Sequence, residues 1–427
     1  MLDLRRIREE TDFVRARLAR RGNPAHLAGV DRVLELDERR RALIGEVDAL
    51  RARRNEESQK VATLKREKKN DEADAIIRST RELGERMSAL EAELADVEGA
   101  VRDTLLGIPN LPDDVVPEGG ESASRVIREW GTEPTFDFQP KPHWEIGEQL
   151  GILDLARGAK VAGSGFPLLR GMGVRLERGL ISYMMDLHAR EHGYTELWPP
   201  FLVNSDAATG TGHLPKFGED MYEVPGDGLW LVPTAEVPVT NLHAGELLAP
   251  DALPIRYVAY TPCFRREAGS HGKDTRGLLR LHQFDKVEIV RFERPEDSER
   301  ALEELTSHAE SILQRLGLRY RVLLLAAGDL GFSNARTYDL EVWAPGVGAW
   351  LEVSSCSRYT DYQARRMNLR YRPDANAKPE FVHTLNGSAL ALARLVVALL
   401  ETYQQADGSV VVPEPLRPYL HEDRIVR

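Results

Sequence analysis

Between Asp31 and Asn70 apolar side chains recur on a heptad, which commits this stretch to a long helix that packs along one seam. Val33, Val47 and Val61 hold one position of the repeat, and Leu36, Leu43, Leu50 and Leu64 hold the other. A second stripe follows, with Ile76, Leu83, Leu90 and Val97 pairing with Met87, Leu94 and Val101. Between the stripes lies the polar run Lys68-Lys69-Asn70-Asp71, fit for a turn. Two long helices joined by a short turn predict an antiparallel hairpin over about 31–104. Helices of ~35 residues would reach about 50 Å. The first stripe fails at Arg40, Arg54 and Glu57, so the hairpin is not uniformly apolar inside.

Charge sharpens this reading. Residues 1–70 carry 19 Lys and Arg against 13 Asp and Glu, whereas the whole chain nets −11. A basic appendage on an acidic body is the pattern of an arm that meets a polyanion. Arg51, Arg53, Arg54, Lys60, Lys65, Arg66, Lys68 and Lys69 crowd toward the tip. A solvated or dimerising coiled coil is the plainer alternative, but a dimer seam would not need those cations and phosphate contact would. Arg51, Arg54 and Lys65 are the phosphate contacts singled out among them.

Residues 107–142 change character, because Pro109, Pro112, Pro117, Pro134, Pro140 and Pro142 interrupt any helix. They read as a linker with leading strands, dividing the chain into 1–108 and 109–427. In the larger part, strands such as Leu229–Val232, Val287–Phe292, Tyr320–Leu325 and Tyr338–Trp343 do not alternate regularly with helices. That favours an α+β fold on a mostly antiparallel sheet over a doubly wound parallel one. The longest apolar stretch, Ala389 to Leu400, is broken by Arg394, so no membrane span is expected. The first residues carry charges where an export signal needs an apolar core. Two cysteines, Cys263 and Cys356, exclude a disulfide scaffold. A soluble cytoplasmic protein is expected.

Two local patterns are decoys. His188-Ala189-Arg190-Glu191-His192 matches H-x-x-E-H, but it ends a helix predicted over Gly179–His192, where histidines complement the helix dipole without metal; no zinc is expected. Gly269-Ser270-His271-Gly272-Lys273-Asp274-Thr275 hints at a phosphate loop, but Glu267 and Asp274 stand where the pattern needs glycine and a hydroxyl.

The chemistry concentrates between Thr261 and Phe292. Two strands are predicted there, joined by a glycine-bearing loop. Alternation puts Gln283, Asp285 and Val287 on one face and Phe284, Lys286 and Glu288 on the other. Arginines at both ends of such a loop, Arg265 and Arg280, suit a triphosphate, because guanidinium pairs bidentately with phosphate oxygens. Phe284 offers a stacking platform for a base. An acid further along the same face can hold an ammonium or a hydroxyl. The alternative is a solvated hairpin with incidental ion pairs.

This stretch resembles motif 2 (about 261–292) of the class II aminoacyl-tRNA synthetases, and in detail the seryl-tRNA synthetase family. Motif 1 resembles 179–200, ending Gly193-Tyr194-Thr195-Glu196-Leu197-Trp198-Pro199-Pro200, and motif 3 resembles 386–401, from Asn386-Gly387-Ser388 through Arg394. Thr234-Ala235-Glu236, the Tyr338–Trp343 run and Glu352-Val353-Ser354-Ser355 fit the same family, as does the helical arm. The resemblance implies activation of L-serine with ATP to seryl-adenylate, followed by transfer of serine to the 3′ end of serine tRNA. Whether selenocysteine tRNA is a second substrate stays open. It implies Arg265, Arg280 and Arg394 as catalytic residues. Thr234, Ala235, Glu236, Arg265, Glu288 and Ser388 would bind serine. Arg265, Arg266, Glu267, Arg280, Phe284, Glu352, Val353, Ser354, Ser355 and Arg394 would bind ATP, with Mg2+ on Glu352 and Ser355. It also implies a homodimer built on motif 1. Arg266 and Ala393 depart from the usual small residues of the family, with the Arg266 side chain expected to point away from ATP because alternation separates it from Arg265, and the Ser357-Arg358-Tyr359-Thr360 wording has no account. A relative that charges a carrier protein would lack the long arm, and a degenerate scaffold would not need to keep these charged groups.

Overall fold

A computed structural model describes residues 1–268 and 276–427. The chain divides into two compact units: Leu2–Ala19 with Asn23–Pro109, and Met1 with Arg20–Gly22 and Asn110–Arg427. The segment 269–275, which includes the phosphate-loop decoy and most of the expected loop, lies outside the described residues.

The first unit is dominated by the helices Ala25–Arg66 and Asn70–Leu106. The first helix begins six residues before the predicted start. Asn23-Pro24 sets it off: the Asn23 side chain accepts from the Ala25 amide at 3.0 Å, and Pro24 has φ −63°. At the base of the hairpin Gly29 faces Ile108 so closely that a Cβ would sit 3.0 Å from Ile108 Cγ1. Val30, Val33, Leu36, Leu43 and Val47 are buried on the first helix; Ala73, Leu83, Met87, Val101 and Leu105 answer from the second. Toward the tip burial fades, and Leu50, Val61 and Leu64 are only half-buried.

Two of the three breaks in the heptad, Arg40 and Glu57, have polar partners. Arg40 lies 3.6 Å from Glu98, and Glu57 accepts from Thr80 Oγ1 at 3.2 Å and from Arg53 Nε at 3.0 Å. Asp37, only 1% exposed, gathers Arg8, Arg40 and Arg41 at 3.2, 3.3 and 3.0 Å. Burial alone would raise its carboxyl, but these hydrogen bonds outweigh it and hold the group below the ordinary aspartate range.

The second unit is built on an eight-stranded sheet. Its spatial order is Arg125–Trp130, Tyr320–Leu324, Arg336–Ala344, Ala349–Thr360, His383–Ala391, Gln283–Glu293, Ile255–Phe264 and Thr195–Leu197. All neighbours are antiparallel except the last pair. This is the mostly antiparallel α+β fold expected. The proline-rich linker supplies the edge strand Arg125–Trp130.

Helix Ser298–Arg315 packs against strand His383–Ala391, burying Leu302, Leu305, Ala309 and Ile312. Gly387 makes this approach possible: a Cβ there would lie 2.6 Å from Leu305 Cδ2 and 2.8 Å from Cys356 Sγ. Alternation then turns Asn386 and Ser388 to the opposite face, away from that helix. Helix Met172–Arg190 starts seven residues before the predicted Gly179. Its glycines are contact points rather than breaks, since a Cβ on Gly173 would meet the Ile152 carbonyl oxygen at 2.6 Å. Among the described residues no helix is long and apolar enough to cross a membrane.

Candidate active site

Strands Ile255–Phe264 and Gln283–Glu293 pair in unbroken register from Ile255 opposite Phe292 to Phe264 opposite Gln283. The alternation read from sequence holds: Val287 enters the core, while Phe284, Lys286 and Glu288 face a cavity of about 470 Å³. The neighbouring strand Ala349–Thr360 brings Val353, Ser355, Ser357 and Tyr359 to the same cavity. Its register with Arg336–Ala344 shifts between Leu340 and Glu341, leaving Val353 as an extra residue. That bulge turns Glu352 to the cavity beside Val353, which strict alternation would forbid.

One group of lining residues is cationic and aromatic. The Arg265 guanidinium carbon lies 5.2 Å from the Phe284 ring centroid, and its Nε donates to the Pro233 carbonyl at 3.3 Å. Glu267 adopts φ +53°, a left-handed conformation held where Arg280 forms an ion pair with its carboxylate. Arg394 donates from Nη1 to the Glu352 carbonyl at 2.7 Å and from Nε to the Leu279 carbonyl at 3.2 Å. Its guanidinium also stands 3.5 Å from the Glu352 carboxylate.

The other group is acidic and buried. Thr234 Oγ1 donates to Glu288 Oε2 at 3.4 Å and accepts from the Glu236 amide at 3.2 Å. The Glu236 carboxylate accepts from Gln363 Nε2 at 2.7 Å. Burial pushes the Glu236 and Glu288 carboxyls up from the ordinary glutamate range, and Lys286 opposes the rise in both. Burial, with the charges of Arg265, Lys286 and Arg366, drives the His213 imidazole down to about 3, so it is neutral at pH 7.

Of the residues singled out in sequence, Thr234, Glu236, Arg265, Glu267, Arg280, Phe284, Glu288, Glu352, Val353, Ser355, Ser388 and Arg394 line this one cavity. Three do not. Arg266 turns away, donating to the Met221 carbonyl at 2.9 Å and covering the Tyr222 ring. Ala235 is buried in a separate apolar cluster with Val239 and Phe292. Ser354 lies on the far side of its strand and donates to the Ser388 carbonyl at 2.6 Å. Sequence reasoning gave no role to His213, Tyr359 and Asn386, which line the cavity from distant segments, and missed Gln363, which supports Glu236. It placed Lys286 on the correct face without giving it a role.

The H-x-x-E-H histidines do something other than the pattern suggests. His188 and His192 lie 2.9 Å apart through their Nδ1 atoms, and His192 stacks on His308 with ring centroids 4.0 Å apart. Among the described residues no group of three or more His, Cys, Asp or Glu is arranged to hold a metal ion. In the other unit Arg51 is paired with Glu91 at 2.8 Å and Asp48 at 3.4 Å, whereas Arg54 and Lys65 form no ion pair among the described residues.

Residues 222–403 match the family model for the tRNA synthetase class II core domain (G, H, P, S and T), and residues 1–112 match the seryl-tRNA synthetase N-terminal domain. The serine–tRNA ligase of Gemmatimonas aurantiaca is 56% identical over 98% of this chain and 98% of its own length. That of Exiguobacterium sibiricum is 55% identical over the same shares. The crystal structure of seryl-tRNA synthetase from Pyrococcus horikoshii complexed with ATP superposes with a TM-score of 0.94 at 38% identity, covering 100% of this chain and 99% of that one.

Proposed function

The chain belongs to the seryl-tRNA synthetase family and catalyses ATP-dependent aminoacylation of tRNA with serine, and within that activity we propose a division of labour among its residues. The observation that carries it is the meeting, in one cavity, of a guanidinium stacked over a ring with two buried acids. Phe284 stacks on adenine and Glu267 reads its amino group. Arg265 contacts both the α-phosphate and the serine carboxylate, and Arg280 and Arg394 hold the outer phosphates. A serine carboxylate oxygen attacks the α-phosphorus as the bond to pyrophosphate breaks. The protein's share is positioning and charge neutralisation rather than covalent chemistry. For ATP to enter, Glu267 and Arg280 must exchange their mutual ion pair for base and phosphate.

Thr234, Glu236, Glu288 and Ser388 form the serine pocket. A site that hydrogen-bonds the substrate hydroxyl rejects alanine, because its acid would be left unpaired. Glu352 and Ser355 fit Mg2+. They offer a carboxylate and a hydroxyl, donors suited to a hard cation, and Asp339, paired with Ser355 across the strands, has a buried Oδ1 with no hydrogen-bond partner among the described residues. Bound there, the ion would neutralise phosphate charge. Ala235, Arg266 and Ser354 act indirectly, through backbone and packing.

The helical hairpin serves serine tRNA through Arg54 and Lys65, with Arg51 a weaker contributor. The molecule works as a two-fold homodimer through helix Met172–Arg190 and the following Trp198-Pro199-Pro200, where Trp198 is 75% exposed. It works in the cytoplasm. Pyrophosphate exchange across the twenty amino acids tests the pocket: serine alone should support it, and equal exchange with alanine would refute the assignment. Sedimentation tests the dimer, and an active monomer at micromolar concentration would refute it.

A further inference from the structure

Lys286 is a buried cation in the cavity to which no role has yet been given. It is only 6% exposed, and its ammonium lies 2.5 Å from Glu288 Oε2. Strand alternation sets it between Phe284 and Glu288 on the cavity face. Thr234 Oγ1 donates to the same Oε2 at 3.4 Å, so that oxygen is engaged twice. Among the described residues no hydrogen bond is made to Glu288 Oε1.

The charge balance points the same way. Glu236 and Glu288 place two carboxylates where serine brings one ammonium. A buried carboxylate without a counter-charge takes up a proton. Arg265 is committed to the serine carboxylate, which leaves Lys286 to balance the second acid.

We propose that Lys286 is a positioning residue for serine selection, holding Glu288 ionised with Oε2 engaged so that Oε1 is the acceptor presented to the substrate hydroxyl. This rests on the assignment of Glu288 to the serine pocket. The charged and titratable groups facing the pair are Glu236, Arg265, His213, Cys263 and Tyr359, and Glu288 is also felt by the Cys356 thiol on the far face of its strand. His213 is already neutral at pH 7, and burial raises the two thiols and the phenol above their ordinary ranges. The carboxyls are therefore the groups a pH profile would report.

The test is serine-dependent pyrophosphate exchange by the full-length protein. Lys286→Met should raise the serine KM about tenfold or more while leaving the ATP KM within about twofold. It should also lower the preference for serine over alanine and move the acid limb of kcat/KM for serine to higher pH. Lys286→Arg, which keeps the charge, should recover part of the serine KM and would carry the test should the methionine variant not fold. In a Glu288→Gln background, Lys286→Met should add little, because the lysine acts through that acid. Equal changes in both KM values, a change in kcat alone, an unmoved acid limb, or undiminished effects in the Glu288→Gln background would overturn the proposal. If Glu288→Gln itself leaves the serine KM unchanged, the pocket assignment fails first. If Glu288→Gln raises it and Lys286→Met does not, only the role of the lysine fails.

Discussion

The arm offers the sharpest separation of the two steps of the reaction. Every lining residue of the cavity falls between Thr211 and Arg394, whereas the hairpin lies within 25–106. Deleting 31–104 and bridging the ends should therefore leave serine-dependent pyrophosphate exchange nearly intact and abolish charging of serine tRNA. The structure also ranks the milder changes. Arg54, Lys65, Arg66 and Lys68 have no ion pair among the described residues, while Arg51 is held by Glu91 and Asp48. If those four unpaired cations meet phosphates, binding should fall with salt along a log–log slope of roughly −3 to −4. That is on the order of a hundredfold between 50 and 200 mM salt. Lys65→Ala and Arg54→Ala should each flatten the slope by about 1. Arg51→Ala should flatten it less, since its guanidinium must leave Glu91 to reach a phosphate. Filter binding over a salt series measures the slope, and exchange and charging assays complete the set. Equal effects of Arg51 and Lys65, or parallel loss of exchange and charging with a changed sedimentation coefficient, would refute the reasoning and favour a structural coil.

Gly387→Ala should cost about 1–3 kcal/mol, because its Cβ would enter the space of Leu305 and Cys356, and thermal melts would register the loss. Asp37→Ala should destabilise the hairpin by about 1–2 kcal/mol, since Arg8, Arg40 and Arg41 lose hydrogen bonds to it but are themselves partly exposed. The Asp37 carboxyl sits below its ordinary range when folded, so its contribution is present above that range and is lost as pH falls through the depressed value; acid titration followed by circular dichroism would show this. Burial lowers the His188, His192 and His308 imidazoles, the last to about 3. Bases depressed on folding cost stability as pH drops below their unfolded value near 6.5, so melting temperature should fall from pH 7 to pH 5, and less steeply in His308→Phe.

The heptad and the strand alternation were legible because each depends only on local spacing. That is why both helices of the arm and the cavity face of Phe284, Lys286 and Glu288 could be read directly. Helix starts at Ala25 and Met172 were misplaced because the apolar pattern becomes legible only from Val33 and from Gly179, whereas the first turns hold Gly29 and Gly173, points of close approach visible only in three dimensions. Arg266 turns away from the cavity, as alternation beside Arg265 implies, whereas Ser354 stands in the right stretch but on the far face of its strand, and the bulge at Val353 is set by pairing with a strand that spacing alone does not specify. Asn386 and Tyr359, whose hydroxyl donates to Asn386 Oδ1 at 3.0 Å, join across strands 27 positions apart. Gln363 reaches Glu236 over 127 positions. Such partnerships leave no local trace in the chain.

The tight seating of Gly29 against Ile108 has a mechanical consequence. A helix of 42 residues spans about 63 Å, so each degree of tilt between the two helices at their base sweeps the tip sideways by about 1 Å. The base thus works as a pivot with a long lever. Any Cβ at Gly29, 3.0 Å from Ile108 Cγ1, would push the helices apart by tenths of an ångström where they meet and by several times that at Lys65 and Lys68. Aim at the far end is bought with rigidity at the near one.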